Sequence, residues 1–295
     1  MRHERPENGE MIVALLILVF LLCIAWIIGL AYLIRSLNRL PVFGKQLAPM
    51  PRVWPRLSVV IPACNEAAHL ESAVATLLRR DYPELEIVLV DDRSTDGTGE
   101  LIERLAHEDP RIRAVHVETL PQGWLGKVHA LHQGVARTSG EWLLFTDADV
   151  HFAFGSLRRA LAIVLHQKVD HLALIPRTIQ NSFWLEVAVS AFGLLFLLTT
   201  RAARVNEPDS NAFVGIGAFN LVKAERFRRT PGFEWLRLEP GDDVALGMMM
   251  KQAGATARLA LAYEELSVQW YPSVAAMFQG LEKNLFGPGS QYRWW

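Results

Sequence analysis

Two carboxylates one residue apart close an apolar run in Glu141-Trp142-Leu143-Leu144-Phe145-Thr146-Asp147-Ala148-Asp149-Val150. The run reads as a strand, so Asp147 and Asp149 stand at its edge. Hard divalent cations such as Mg²⁺ take carboxylate oxygens and keep substrate phosphates as further ligands, so this pair points to a metal and a phosphate-bearing substrate. A solvated Asp turn is the alternative. Against it stands a second run of the same design, Ile87 to Val90 followed by Asp91-Asp92-Arg93-Ser94-Thr95-Asp96-Gly97-Thr98. Two strands ending in carboxylates predict a sheet with a nucleotide at its C-terminal edge.

Within the second run, helix capping by Asp96 or Thr98 accounts for one or two of the polar residues, not all of them. Asp92 is assigned a nucleobase contact and Asp91 the support of the loop. Upstream, Ile61-Pro62-Ala63-Cys64-Asn65-Glu66 ends a strand with residues that stop pairing. Glu66 is open to two roles, a ribose or base contact and a favourable charge at the next helix N-terminus. Lys127 follows Gly123 and Gly126, which let backbone approach a ligand closely. It suits a diphosphate, the alternative being a solvated lysine. Adjacent Asp242 and Asp243 open a helical pattern, either as caps or as catalytic groups. In the second case Asp243 is the general base and Asp242 orients it or the acceptor.

The elements that must carry these residues alternate. Leu57–Pro62 reads as a buried strand, Ala67–Arg80 as a helix, Glu86–Val90 as a strand and Gly99–His107 as a helix. That order predicts an α/β domain with a mainly parallel sheet flanked by helices. Leu157–Leu165 is amphipathic. Val187–Thr200 is apolar throughout, short for a span, and suits a core helix or one lying at a bilayer surface. Val274–Phe286 carries Met277, Phe278, Leu281, Leu285 and Phe286 as a second interfacial stripe. Gly215 and Gly217, in the irregular segment Asn206–Asn220, mark either close backbone approach or a plain turn.

Met11–Ile34 contains no charged residue, and a helix of that length spans roughly 30 Å of hydrocarbon. It exceeds the apolar core of a cleaved signal peptide. Arg35, Arg39, Lys45, Arg52 and Arg56 follow it, so a single-pass anchor in the cell (inner) membrane with a cytoplasmic domain is expected. Cys23 and Cys64 offer no disulfide framework. With a net charge of −1 and no massed basic stretch beyond the membrane flank, no nucleic-acid surface is expected.

Taken in order, IPACNEA, VDDRSTDGT, GWLGKVHAL, TDAD and GDDVALG resemble the family 2 glycosyltransferases, particularly membrane-bound members, from about Leu57 to Gly254. The GWLGK element is similar to the subgroup that glycosylates lipids such as hopanoids, carotenoids or ceramide. The resemblance implies a GT-A fold, an inverting reaction, a UDP- or GDP-sugar donor, Mg²⁺ or Mn²⁺, and a lipid or lipid-linked acceptor. By position it implies that Pro62, Ala63, Glu66 and Asp92 bind the nucleoside, and that Asp147 and Asp149 hold nucleotide and metal. It adds His151 as a further metal ligand and makes Asp243 the base. Many relatives carry Thr-Glu-Asp where this chain has Gly241-Asp242-Asp243. Processive relatives carry Gln-x-x-Arg-Trp, of which Arg293 and Trp294 remain for diphosphate and acceptor while Ser290 replaces the Gln.

The chain is thus divided into a tail (1–10), a transmembrane helix (11–34), a connector (35–55), a catalytic domain (56–260) and an amphipathic C-terminal segment (261–295). The catalytic domain comprises a nucleotide-binding half (56–150) and an acceptor half (151–260) containing the apolar helix 187–200. Nucleotidyl transfer on the same fold and a non-catalytic nucleotide-binding scaffold are the competing readings.

Overall fold

The computed structural model describes residues 7–45, 48–79 and 82–281. Its first unit is a single helix, α1 (Glu7–Leu37), of which Met11–Leu37 is long and apolar enough to cross a membrane. A helix satisfies its own backbone, which is what an isolated apolar segment requires in hydrocarbon.

The second unit, from Pro41 on, is built on one sheet of eight strands. Its first half runs β1 (Leu57–Ala63), α2 (Leu70–Leu77), β2 (Leu85–Asp92), α3 (Thr98–Glu108), β3 (Ile112–Val117), α4 (Gly126–Val135) and β4 (Trp142–Phe145). The second half runs β5 (His151–Phe152), α5 (Ser156–Gln167), β6 (His171–Thr178), α6 (Phe183–Thr199), β7 (Asn220–Lys223), α7 (Ala224–Phe227), α8 (Asp242–Gln252) and β8 (Ala257–Val268). The strand order is β3-β2-β1-β4-β7-β6-β8-β5. β1, β2, β3 and β4 pair in parallel, as the alternating pattern predicts. β7 runs antiparallel to both β4 and β6, and β5 antiparallel to β8, so the second half is mixed.

Both faces of β1 and β2 are covered, which explains their nearly continuous apolar sequences. Leu57, Val59 and Ile61 face Leu70, Val74, Ile102 and Leu161 in one core. Val60, Val88 and Val90 face Val128, Leu131, Leu246 and Met249 in the other. α4 and α8 therefore lie on the same face of the sheet. That shared face brings Lys127 and the Asp242-Asp243 pair, far apart in sequence, to one place.

Several boundaries differ from those read in the sequence. β8 runs through the division drawn at 260/261, because its small residues and Glu264-Glu265 hide a strand period. α6 begins at Phe183 and is not a core helix: only Leu185 and Val189 are buried, against Met277 and Leu281, while Phe183 and Trp184 stay 70% and 71% exposed. Phe278 also points outward rather than sharing a stripe with Met277 and Leu281, and Leu285 and Phe286 lie outside the described residues.

Candidate active site

The C-terminal ends of β1, β2 and β4 form one edge, where β4 leaves β1 on the side opposite β2. Ligands bind at such a switch point in open α/β sheets. The loops after β1 and β2 are latched together. Asn65 N donates to Ser94 Oγ (3.0 Å), Thr95 N to Asn65 Oδ1 (2.9 Å), Ala67 N to Asp96 Oδ2 (3.1 Å) and Glu66 N to Thr98 Oγ1 (2.8 Å). Asp96 also accepts Thr98 N at 3.0 Å, while the N-cap position of α3 is Gly97, so neither Asp96 nor Thr98 is the cap. Ser94, Asp96 and Thr98 thus hold backbone, leaving Pro62, Ala63, Glu66, Asp91 and Asp92 as the residues at the strand ends.

Asp91 is engaged inside its loop, accepting Ser94 N at 3.2 Å and facing His116 Nδ1 at 3.3 Å. Buried Asp92 accepts Arg93 Nε at 2.8 Å. Its other oxygen lies against Gly126, where a Cβ would come within 2.3 Å. The glycine at the start of α4 is therefore needed for close packing on Asp92, and it brings the next residue, Lys127, over the end of β4.

Lys127 is not a solvated lysine. Its Nζ lies 2.8 Å from Asp147 Oδ1 and 3.5 Å from Asp242 Oδ2. Asp243 accepts Gly217 N on Oδ2 and Val244 N on Oδ1, both at 2.8 Å. Burial, opposed by Lys127 and reinforced by neighbouring carboxylates, raises the Asp242 pKa to about 6 and also raises that of Asp243. The Lys127 ammonium is held firmly charged: burial opposes this, but Asp147, Asp242 and Asp243 outweigh it. Together with Pro62, Gly217 and Asn220 these groups line a cleft of about 10 Å³, room for roughly one water.

On the other side of Asp147, the pKa of Asp149 is raised by burial and by Asp147, and that of Glu66 by burial and by Asp149. Negative charge is thus crowded around the end of β4. His151 turns its Nδ1 to the Asp149 carbonyl (3.2 Å) and its Nε2 to Ser72 Oγ (3.3 Å). Among the described residues no three His, Cys, Asp or Glu side chains converge as a ready-made metal site.

The structure therefore brings Lys127, Asp147, Asp242 and Asp243 together, with Glu66 and Asp149 electrostatically coupled to them. Asp91 and Asp92 stand at the neighbouring strand end. Arg293 and Trp294 lie outside the described residues. Gly217 takes the close-approach role: a Cβ there would sit 2.6 Å from Asp147 Oδ2. Sequence reading passed over Asn220, whose signal was an amide opening the otherwise apolar Leu221-Val222 strand.

A GalNAc(5)-diNAcBac-PP-undecaprenol beta-1,3-glucosyltransferase of Campylobacter jejuni is 33% identical over 103 residues, 35% of this chain and 32% of its own. A beta-monoglucosyldiacylglycerol synthase of Nostoc sp. is 29% identical over 135 residues, 44% of this chain and 28% of its own. The chain spans about a third of the length of these curated relatives. A mannosyltransferase from Pyrobaculum calidifontis, solved with GDP-Man and Mn²⁺, superposes with a TM-score of 0.57 at 24% identity, covering 79% of this chain and 63% of its own. That likeness is one of fold, the GT-A architecture. Residues 58–230, more than half of the sequence, match the Glycosyl transferase family 2 domain, and the chain belongs to that family.

Proposed function

We propose that the protein is an inverting glycosyltransferase that moves a sugar from a UDP- or GDP-sugar to the hydroxyl of a lipid or lipid-linked acceptor at the cytoplasmic face of the cell membrane. The observation that carries this reading is the meeting of Lys127, Asp147, Asp242 and Asp243 beside the strand ends. Pro62, Ala63, Glu66 and Asp92 line the nucleoside side, with Asp91 bracing the loop. Lys127 is placed to exchange Asp147 for diphosphate oxygens as the donor enters, since both side chains are 40% exposed at the strand edge.

Asp243 is the base. The acceptor hydroxyl attacks the anomeric carbon opposite the diphosphate, the new C–O bond forms as the bond to the leaving diphosphate breaks, and the hydroxyl proton passes to the Asp243 carboxylate. A raised pKa brings this carboxylate nearer the operating pH, where a general base is most effective. Asp242, 3.5 Å from Lys127 Nζ, orients its neighbour or the acceptor.

The donor set at β4 fits a hard divalent cation. Asp147 and Asp149 supply oxygen ligands, and the Asp147 charge, which adds to burial in raising the Asp149 pKa, is what a cation would offset. When bound there, Mg²⁺ or Mn²⁺ would offset the charge of the departing diphosphate. His151, engaged by Ser72 Oγ and the Asp149 carbonyl, is not part of this set.

The lipid acceptor is supported by the apolar Met11–Leu37 helix and by the outward Phe183, Trp184 and Val187 of α6. Of the relatives, one is named for a lipid-linked acceptor and one for a glycolipid product. The basic residues following α1 support a cytoplasmic domain. The test is incubation of the detergent-solubilised protein with UDP- and GDP-sugars and membrane lipids, with and without chelator, beside Asp243→Asn. A glycosylated lipid, free nucleoside diphosphate and an inactive variant are expected. Pyrophosphate release instead would establish nucleotidyl transfer, and equal turnover by Asp243→Asn would remove the base assignment.

A further inference from the structure

A chain of buried polar contacts reaches Asp243 from behind, through groups that have no part in the reaction as described. Asn220 opens β7, opposite Phe145 of β4 and Ala173 of β6, and is only 2% exposed. Its Nδ2 donates to the main-chain carbonyl of Asp243 at 3.2 Å. Its Oδ1 lies 2.5 Å from His171 Nε2, which is likewise buried.

These contacts determine the proton positions. An amide whose nitrogen donates to a carbonyl presents its oxygen at the other end, so His171 must carry its proton on Nε2. Burial drives the His171 pKa down to about 4, and the ring is neutral. His171 Nδ1, which has no partner among the described residues, is then a bare acceptor rather than an unsatisfied donor.

The same segment grips Asp243 at two further points. Gly217 N donates to its carboxylate, and Gly215 lies so close that a Cβ would come within 1.7 Å of its carbonyl oxygen. Gly247, one helical turn on, packs against Val214 O, where a Cβ would come within 2.4 Å. The residues before β7 thus clamp the first turn of α8. Asn220 contributes the one side chain that this segment brings to those contacts; Gly215 and Gly217 act through backbone.

We infer that Asn220, oriented by the Nε2–H of His171, is a positioning residue for the general base: it fixes the first turn of α8 so that the Asp243 carboxylate faces the cleft. The inference rests on the proposed role of Asp243 for its catalytic consequence. Its structural content stands apart from that role and is tested separately.

The experiment uses the full chain in detergent with Asn220→Leu, His171→Leu, His171→Gln and Asp243→Asn. Hydrogen exchange is followed on peptides covering 214–220 and 241–247, together with donor Kd, KM and kcat. Asn220→Leu and His171→Leu should both speed exchange in those peptides. They should lower kcat by about tenfold or more, as expected for a misplaced catalytic group, and leave donor Kd within about twofold. His171→Gln, which retains an N–H for Asn220 Oδ1, should recover most of kcat. Unchanged exchange in Asn220→Leu would overturn the positioning role whatever the reaction. Faster exchange with unchanged kcat would overturn its catalytic part. Equal turnover by Asp243→Asn and the parent would instead sink the base assignment and leave the exchange result standing.

Discussion

Lys127 Nζ lies 2.8 Å from Asp147 Oδ1, tying the first turn of α4 to the end of β4. One cation therefore stands among the carboxylates of Asp147, Asp242 and Asp243. Replacing it as Lys127→Met leaves those charges uncompensated and removes the proposed charge-assisted partner of the diphosphate. Binding of UDP or GDP should weaken by about 10- to 100-fold, or about 1.4–2.8 kcal/mol, while binding of the corresponding nucleoside changes little. Isothermal titration with nucleotide and nucleoside, at fixed metal concentration, checks both halves.

Gly217 touches both sides of the site. Its N–H holds the Asp243 carboxylate at 2.8 Å, and its Cα faces Asp147 so closely that a methyl group would meet Oδ2 at 2.6 Å. Gly217→Ala must push Asp147 away from Lys127 or shift its own backbone away from Asp243. Turnover should fall by about 10- to 100-fold with a stability loss of about 1–3 kcal/mol, the usual cost of overpacking. A variant that melts like the parent and retains its kcat would show that the loop yields freely.

A polar cluster at the opposite end of the sheet should affect stability alone. Buried Glu86 accepts Ser58 Oγ at 2.5 Å and Ser139 N at 2.9 Å, and pairs with Arg113 at 3.3 Å. Burial opposes its charge, but these donors together hold its carboxyl below the usual carboxylate range. Glu86→Leu removes the partner of the buried Ser58 hydroxyl and of the Ser139 N–H and should cost about 1–3 kcal/mol, while donor Kd stays unchanged. Denaturant melts and nucleotide titration on the same preparation separate the two effects.

The parts of this site that were legible in the sequence are those coded locally. An apolar run ending in Asp91-Asp92 or Asp147-Ala148-Asp149 announces a strand and its chemistry within a few residues. The antiparallel β7 does not, because four residues beginning with Asn220 have no period to read, and pairing with β4 is a tertiary choice. The meeting of Lys127 with Asp242 is equally invisible, since it depends on α4 and α8 sharing one face of the sheet. Arg93 shows the same limit. Its type suggested nothing, yet in the left-handed region at φ 59° it folds back onto Asp92. α6 was ambiguous for a different reason: an apolar helix has the same sequence whether protein or lipid covers it, and only its exposed Phe183 and Trp184 exclude the core.

The buried His171 makes the fold acid-sensitive in a window that can be calculated. Its ordinary pKa is 6.5, and burial lowers it to about 4 in the folded state, with Asn220 only partly offsetting the loss of solvent. Between those values the unfolded chain binds a proton that the folded chain refuses. Folding stability is therefore complete above about pH 6.5, falls as the pH drops through the window, and stops changing through this group below about 4. The full loss is roughly 3 kcal/mol, of which about 2 kcal/mol is reached by pH 5. His171→Gln has no such group. Urea melts of parent and variant in detergent at pH 7 and pH 5 should show the parent losing about 2 kcal/mol more than the variant. Equal losses would mean that His171 takes up its proton without unfolding, and that the ring is not held neutral behind Asn220.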